Sequence, residues 1–181
     1  MYYQTIKVGK EEIGLVWSCA GKKLSLEYIY LPSRKSKLVA RIIKDFPEIN
    51  KNQHKIPRVI DDQITKLYLG LKMNVDLSIL NLKRLSEFSV NVLKTTCKIP
   101  RGKVATYSGL AAKIGAPLAA RAVGTALANN PFPIVIPCHR VVLADGSLGG
   151  FGGGSNMKRE LLVKEGVTFD SSDRVSAECI W

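Results

Sequence analysis

The residues of this sequence best suited to chemistry are Cys138 and His139, at the end of an apolar run. Pro137 precedes the cysteine and Arg140 follows the histidine, so the thiol has a restricted backbone and basic neighbours. The thiolate is the nucleophilic form of cysteine, and basic neighbours favour it. A cysteine that serves only for packing does not need such neighbours. The segment is therefore predicted to carry a nucleophile.

The composition is that of an ordinary globular chain with a large positive charge. Its 181 residues are 46% hydrophobic and 23% charged, enough for one large domain or two small ones. Lys and Arg number 27 against 15 Asp and Glu, which gives a net charge of +12. This excess favours a polyanionic partner, either nucleic acid or an acidic membrane, with a lysine-rich solvated surface as the alternative.

The sequence also gives an expectation for the cellular compartment of the protein. No apolar stretch has the length of a membrane span, and the N-terminus lacks the basic-then-apolar order of a signal peptide. We expect a cytoplasmic protein, or a nuclear one in a eukaryote, that does not contact membranes. The four cysteines form no CxxC pair, so free thiols are expected. Cys97 lies in a helical pattern and is interpreted as a small buried hydrophobe.

Residues 1–84 have the mixed pattern of a small α/β domain. His54 lies alone in a polar loop and is expected to be solvated. A turn at 20–23 predicts a hairpin between the second and third strands. The predicted strands and helices of this half are Tyr3–Val8, Ile13–Cys19, Leu24–Leu31, Ser36–Phe46 and Val59–Leu71.

Residues 85–181 are predicted to be helical first and then rich in loops. One helix ends before Pro100, and Thr106 is a plausible N-cap of the next. Gly115 closes that second helix, and Pro117 is predicted to begin a third that runs to Ala128. Two helices joined by a tight turn indicate a helix-turn-helix, although such pairs also occur in proteins that never bind DNA.

The third helix has an unusual composition, because it offers mainly alanine and glycine with one arginine, Arg121. A helix that reads bases in the major groove usually carries several Arg, Lys, Asn or Gln residues. Small residues allow close approach to the sugar-phosphate backbone, and a single long cation can enter the duplex. A core-packing alanine helix with a solvated Arg121 explains the composition equally well.

Together, these segments resemble the O6-alkylguanine-DNA alkyltransferases. The matching blocks occur in order over about 80 residues, so coincidence is implausible. They are Arg101-Gly102-Lys103-Val104 with Thr106-Tyr107, Ala120-Arg121-Ala122-Val123-Gly124, Asn130-Pro131, Ile136-Pro137-Cys138-His139-Arg140-Val141-Val142, Gly149 to Gly154, and Lys158-Arg159 through Leu161-Leu162 to Glu165-Gly166. The first half of the chain carries no matching motif.

The resemblance implies an α+β fold with an RNase H-like N-terminal domain over 1–84. Residues 85–181 would form a mostly helical, winged helix-turn-helix domain that binds DNA and accepts the alkyl group. The implied activity is direct, irreversible and stoichiometric transfer of an alkyl group from O6-alkylguanine in DNA, with O4-alkylthymine as a second substrate. A monomer that binds the minor groove without sequence specificity, and that uses no cofactor or metal, is expected.

The resemblance also assigns roles to individual residues. Cys138 accepts the alkyl group, and His139, oriented by Glu165, removes the thiol proton through a water molecule. Asn130 fixes the turn that carries the nucleophile and braces Glu165. Tyr107 pushes the 3′ phosphate and donates a proton to guanine N3.

Further residues are assigned to DNA and to the base pocket. Arg121 fills the space that the flipped nucleotide vacates. The remaining expected DNA contacts are Tyr107, Ala119, Ala120, Ala122, Gly124, Arg101 and Lys103. The expected pocket residues are Pro133, Val141, Phe151 and Gly152. Backbone carbonyls of Cys138 and Val141 would accept the exocyclic amine of guanine.

The pocket rim departs from the pattern of many relatives. Phe151-Gly152 stands where they carry Tyr-Ser or Tyr-Arg, so Gly152 offers a backbone N–H and no hydroxyl to guanine O6. Four of the five residues in Gly150–Gly154 are glycine, which predicts a mobile loop. From these features we expect tolerance of alkyl groups larger than methyl.

The sequence is less consistent with three other interpretations. A cysteine hydrolase would need an oxyanion hole and usually a distant histidine, for which only His54 is available. A DNA-binding regulator would use the helix-turn-helix without chemistry, yet Cys138 is present. For a zinc site, the first half offers only Cys19 and His54, too few for four ligands.

Overall fold

The computed structural model describes residues 1–21, 23–33, 36–50 and 55–181. They form two compact units, residues 1–82 with 131–135 and residues 83–130 with 136–181. The segment 131–135 thus packs with the first unit although it lies late in the chain. His54 lies outside the described residues. The assignment of 85–181 as the DNA-binding and acceptor domain stays a prediction.

The first unit contains an antiparallel sheet of three strands in the order β1-β2-β3. The sheet and both predicted helices are confirmed, with their ends shifted by at most three residues. Their bounds are β1 Tyr2–Val8, β2 Glu11–Ala20, β3 Lys23–Tyr30, α1 Leu38–Asp45 and α2 Arg58–Tyr68. A 3-10 helix, Leu77–Ile79, follows. Ala20 pairs with Lys23, which confirms the hairpin predicted between β2 and β3.

Helix α1 packs closely on β2 because Gly14 has no side chain. A Cβ atom at Gly14 would lie 2.9 Å from Cδ1 of Ile42 and 3.1 Å from Cδ1 of Leu38. Such distances are shorter than ordinary carbon contacts, so a larger residue would push the helix away. The core at this contact consists of Tyr3, Val16, Tyr30, Ile42, Phe46 and Ile49.

The second unit is mostly helical. The bounds of its elements are α3 Glu87–Thr96, β4 Ala105–Thr106, α4 Tyr107–Lys113, α5 Ala120–Ala128, β5 Val141–Val142 and α6 Gly154–Lys164. Strands β4 and β5 pair in parallel, and α3, α4 and α5 pack against one another. The Oγ1 of Thr106 accepts a hydrogen bond of 2.9 Å from the Gly109 N–H, which confirms the predicted N-cap.

The predicted start of α5 at Pro117 is wrong, because the helix begins at Ala120. Residues 116–119 form a turn that is closed by a hydrogen bond of 2.9 Å from Ala119 N to Ala116 O. Proline is favoured at the second position of such a turn for the same reason that favours it at the first position of a helix. Leu118, the next residue of the turn, is fully exposed.

The described part of the chain thus has a mixed α/β fold with a three-stranded antiparallel sheet and six α-helices. A buried cluster in the second unit joins β4, β5 and α6 to the C-terminal segment. Its members are Val104, Val142, Leu162, Val167, Val175 and Cys179. Among the described residues, no helix is long and apolar enough to cross a membrane.

Candidate active site

Cys138 is the first residue of a short 3-10 helix, Cys138–Arg140, which leads directly into β5. Its backbone N–H donates to the carbonyl of Ile136 at 2.8 Å. The buried amide of Asn130 donates to the same carbonyl at 3.1 Å. The predicted role of Asn130 in holding the turn of the nucleophile is consistent with this contact.

His139, the residue after Cys138, forms a buried pair with Glu165. The Nε2 atom of His139 lies 3.1 Å from Oε1 of Glu165, and both side chains are almost completely buried. The other ring nitrogen, Nδ1, is also buried and has no hydrogen-bond partner among the described residues. The ring therefore has one nitrogen held by the carboxylate and the other available for proton transfer.

Arg140 holds the carboxylate of Glu165 from the other side, a role that was not predicted from the sequence. Its Nε donates to Oε2 at 2.6 Å, and its Nη2 donates to Oε1 at 2.8 Å. A third hydrogen bond of 2.8 Å runs from Nη1 to the carbonyl of Ile99. This two-point contact fixes the plane of the carboxylate and so its orientation toward His139.

These contacts set the ionisation of the pair. Burial opposes ionisation of Glu165, but hydrogen bonds from His139 and Arg140 prevail and lower the pKa of Glu165 to about 2. Burial lowers the pKa of His139 below its ordinary value despite the neighbouring carboxylate. At neutral pH His139 is thus a neutral imidazole able to accept a proton.

The thiol of Cys138 is kept protonated by its surroundings. Burial raises the pKa of Cys138, although a hydrogen bond from Asn130 and the charge of Lys158 act in the opposite direction. A protonated thiol is a weak nucleophile and needs a base nearby. Cys97, half-buried at the C-cap of α3, has its pKa raised to about 11 by burial, so it too is protonated at neutral pH.

Tyr107 is the first residue of α4 and lies between two glycines. A Cβ atom at Gly124 would lie 3.8 Å from two carbons of the Tyr107 ring. A Cβ atom at Gly149 would lie 3.4 Å from the Tyr107 hydroxyl. Burial, and secondarily Cys138, raises the pKa of Tyr107. Its phenol is therefore protonated at neutral pH and can donate a proton.

Helix α5 displays its small residues on one side and packs with the other. Arg121 and Ala122 are exposed, whereas Val123, Ala126 and Leu127 are buried. One face of the helix is therefore packed in the core and the other is exposed, and contact of the exposed face with DNA stays a prediction. The remaining predicted contact residues of this segment, Ala119, Ala120 and Gly124, are partly exposed.

Two of the residues predicted to contact DNA donate hydrogen bonds to backbone carbonyls of the protein. The Nη2 of Arg101 donates to Lys164 O at 2.5 Å, and the Nζ of Lys103 donates to Glu178 O at 2.6 Å. Both hydrogen bonds are exposed to solvent, where a phosphate can compete for the donors. Their contact with DNA stays a prediction.

The residues predicted to line the base pocket differ in their exposure to solvent. The Phe151 ring lies edge-on to the His139 ring with centroids 6.2 Å apart, and Gly152 is exposed. The side chain of Val141 is fully buried, so the residue can contribute to a base pocket only through its backbone carbonyl. Pro133 is buried in the first unit, and its predicted part in the pocket stays a prediction.

Lys158 is a second residue that sequence reasoning missed. It lies on α6 and is fully buried, which is rare for lysine. Its Nζ donates to the carbonyl of Val141 at 2.6 Å and to that of Gly150 at 3.4 Å. The carbonyl that was predicted to recognise guanine is therefore already oriented by a protein donor.

The described residues contain no cluster of three or more His, Cys, Asp or Glu side chains that could hold a metal ion.

Comparison with known proteins gives the family. Residues 87–167 match the profile described as "6-O-methylguanine DNA methyltransferase, DNA binding domain". The chain is 33% identical to Mycobacterium tuberculosis OGT, which was solved in complex with DNA, with a TM-score of 0.70 over 92% of this chain and 93% of that one. The chain belongs to the O6-methylguanine-DNA methyltransferase family. All of the matched region except residues 131–135 lies in the second unit.

Other relatives in the family agree. An O6-methylguanine DNA methyltransferase from Methanococcus jannaschii is 30% identical, with a TM-score of 0.64 over 93% of this chain and 96% of that one. The methylated-DNA–protein-cysteine methyltransferase of Methanothermobacter thermautotrophicus is 42% identical over 109 residues, which are 60% of this chain and 61% of that protein. The chain thus matches about three fifths of the length of this curated relative.

Glu165→Gln is expected to lower the free energy of unfolding by about 3–5 kcal/mol, because Arg140 would lose its buried counter-charge. The folded pKa of Glu165, about 2, lies below its ordinary value of 4.5, so the stabilisation is present above pH 4.5. It is lost as the pH falls toward 2. Urea unfolding at pH 7 and pH 3 measures both effects.

Glu160→Gln, an exposed glutamate of the same helix, serves as the matched control and should unfold like the wild type. If Glu165→Gln is as stable at pH 7 as the control, the ion pair with Arg140 does not stabilise the fold.

Proposed function

We propose that this protein repairs DNA by transferring the alkyl group of O6-alkylguanine irreversibly to Cys138, one group per molecule. O4-alkylthymine is proposed as a second substrate. The observation that carries the proposal is the buried His139–Glu165 pair, whose histidine directly follows Cys138, in a chain of this family. A thiol with a neutral imidazole next to it is equipped for nucleophilic attack.

The lesion dictates how DNA must be bound. Guanine O6 lies on the Watson–Crick edge inside the duplex, where no nucleophile can approach in line behind the alkyl carbon. The nucleotide must therefore be turned out of the stack into a pocket. We assign Arg121, exposed on α5, to the vacated space and the small residues around it to the sugar-phosphate backbone.

A DNA partner fits the relatives and the charge of the chain. The M. tuberculosis relative was solved in complex with DNA. In our proposal α4 and α5 form a winged helix-turn-helix that binds the minor groove without sequence specificity. The net charge of +12 supports a binding energy that comes mainly from phosphates. A cytoplasmic monomer with an RNase H-like first unit completes the proposal.

The proposed reaction moves two protons and one alkyl group. His139 accepts the thiol proton of Cys138 through a bridging water, and the sulfur attacks the alkyl carbon. The S–C bond forms as the C–O6 bond breaks, and guanine leaves as an anion. Tyr107 donates its phenolic proton to guanine N3, a step that typically contributes about 10²- to 10⁴-fold in rate.

The proposed product explains why each molecule acts once. A thioether at Cys138 has no carbonyl for water to attack, unlike the thioester of a cysteine protease, so the thiol is not regenerated. Hydrolase activity would instead regenerate it. Stoichiometry therefore separates alkyl transfer from cysteine hydrolysis.

Recognition of guanine is proposed to depend on backbone groups and an apolar wall. The carbonyls of Cys138 and Val141 accept the exocyclic amine, and the Gly152 N–H faces O6. Phe151 contributes the apolar wall against the alkyl group. Because Gly152 lacks a side chain, this wall should tolerate alkyl groups larger than methyl.

The function is tested with duplex DNA that contains one radiolabelled O6-methylguanine. We expect label on the protein to rise to one methyl group per chain and then stop, however much DNA is added. Methyl release to solvent with continuing turnover would contradict the proposal, as would folded protein that binds the DNA and takes up no label.

A further inference from the structure

Lys158 is a buried charge that the proposed reaction does not yet use. Lysine is almost never fully buried unless it is paired. Within the described part of the chain, no carboxylate forms an ion pair with Lys158, whose hydrogen-bond acceptors are backbone carbonyls. Burying a cation without a counter-charge is costly, so the position calls for an anion that forms during function.

The geometry places this ammonium group at the end of the turn that carries the nucleophile. Lys158 is on α6, which packs against the 3-10 helix that begins with Cys138. Its Nζ is held 2.6 Å from the carbonyl of Val141, three residues after Cys138. The second carbonyl, of Gly150, keeps the long side chain in one direction. The charge is therefore fixed before any substrate arrives.

We propose that Lys158 is the electrostatic partner of Cys138, a fixed cation that stabilises the thiolate formed when His139 takes the thiol proton. This inference rests on the proposed function of Cys138 as the nucleophile. The sulfur then attacks the alkyl carbon, and its negative charge passes to the departing guanine. Lys158 keeps its proton throughout, so the atoms and charges of the reaction balance as described above.

The electrostatics of the site are consistent with this role. Burial lowers the pKa of Lys158 to about 8, while the charge of Cys138 acts to raise it. Reciprocally, Lys158 acts to lower the pKa of Cys138. Such coupling is mutual by thermodynamic necessity.

The other charged groups around the thiol do not supply this cation. His139 is neutral, and Arg140 is paired with Glu165, the carboxylate that contacts Nε2 of the His139 ring. Tyr107, at the start of α4, is a neutral phenol. Asn130 contributes an uncharged hydrogen bond. Lys158 is thus the cation whose charge bears on the sulfur.

The same lowered pKa of Lys158 affects the stability of the fold. Because the folded pKa of Lys158 lies below its ordinary value of 10.5, the buried charge destabilises the fold at every pH below 8. That cost fades as the pH rises from 8 to 10.5.

The test is the pH dependence of Cys138 alkylation by iodoacetamide, followed by peptide mapping, in wild type and Lys158→Gln. Glutamine removes the charge but can still donate to the Val141 carbonyl. We expect the midpoint of the pH–rate profile to rise by about 1–2 units, as for loss of a nearby opposite charge. Thiolate nucleophilicity rises with pKa, so the rate at pH 7 should fall only about 3- to 10-fold.

Lys158→Arg keeps the charge and should restore a midpoint near that of the wild type. Lys158→Met is the substitute if the glutamine variant does not fold, and the same shift is expected. Lys164→Met, an exposed lysine of the same helix, is the matched control and should leave the midpoint unchanged. A folded neutral variant with an unchanged midpoint would overturn the proposal.

The reagent separates this proposal from the proposed function. Iodoacetamide reports ionisation of the thiol whether or not the protein acts on guanine. A shifted midpoint with no transfer from methylated DNA would leave Lys158 as the partner of Cys138 and remove the repair function. Normal transfer from methylated DNA with an unshifted midpoint would support the repair function and would remove Lys158 as the partner of Cys138.

Discussion

Cys138→Ala is expected to abolish alkyl transfer completely while leaving the affinity for DNA within about threefold of the wild type, because binding is proposed to come mainly from phosphate contacts. Removal of the sulfur takes away the only atom proposed to form the new bond. The side chain lies in a 3-10 helix that is held through the backbone and Asn130, so the fold should persist. Transfer from labelled duplex and fluorescence anisotropy measure the two quantities.

Cys19→Ala is the matched control for that experiment. Cys19 is an exposed free thiol, so a non-specific alkylation of accessible cysteines would be reduced by its loss. We expect this variant to accept one methyl group per chain at the wild-type rate. Residual transfer to Cys138→Ala would show that another residue serves as the acceptor.

Arg121→Ala should lower the repair rate in duplex DNA by about 10²- to 10³-fold and leave the reaction with free O6-benzylguanine unchanged. Extruding a base costs a few kcal/mol, and each 1.4 kcal/mol corresponds to a factor of ten in rate. Free base needs no extrusion, so it does not use the arginine. Single-turnover rates on the two substrates measure the difference.

The control for Arg121 is Arg174→Ala, which removes another exposed arginine of the second unit. It matches the loss of charge and should slow duplex repair only slightly. A loss of equal size on both substrates in Arg121→Ala would remove Arg121 from the flipping role and would point to a damaged site.

Some of this site was accessible from sequence because its signals are local. Pro137, Cys138 and His139 are consecutive, so their relation is visible without a fold. The N-cap at Thr106 also depends only on nearby residues. Glu165 was assigned only through the family resemblance, and the structure places it 3.1 Å from His139 across 26 positions.

Arg140 and Lys158 were missed because their roles depend on distant partners. Arg140 binds a carboxylate 25 positions away and a carbonyl 41 positions away. For Lys158 a signal existed, since Lys158, Leu161, Leu162 and Glu165 have the spacing of one helix face. Two charged residues on the same face as two buried leucines indicate buried charges rather than solvated ones.

The start of α5 shows a limit of another kind. Proline prefers one backbone geometry, which suits both the first turn of a helix and the second position of a β-turn. Pro117 therefore cannot distinguish the two, and the structure resolves them by the hydrogen bond across residues 116–119. The correction places Leu118, fully exposed, in the turn ahead of Arg121 rather than inside the helix.

The most direct test of the central claim is the intact mass of the protein after incubation with O6-benzylguanine, followed by peptide mapping. We predict one benzyl group per chain, located on Cys138, with no further addition at longer times. A benzyl group on another residue would contradict the account. So would a folded protein that acquires neither a benzyl group here nor a methyl group from methylated DNA.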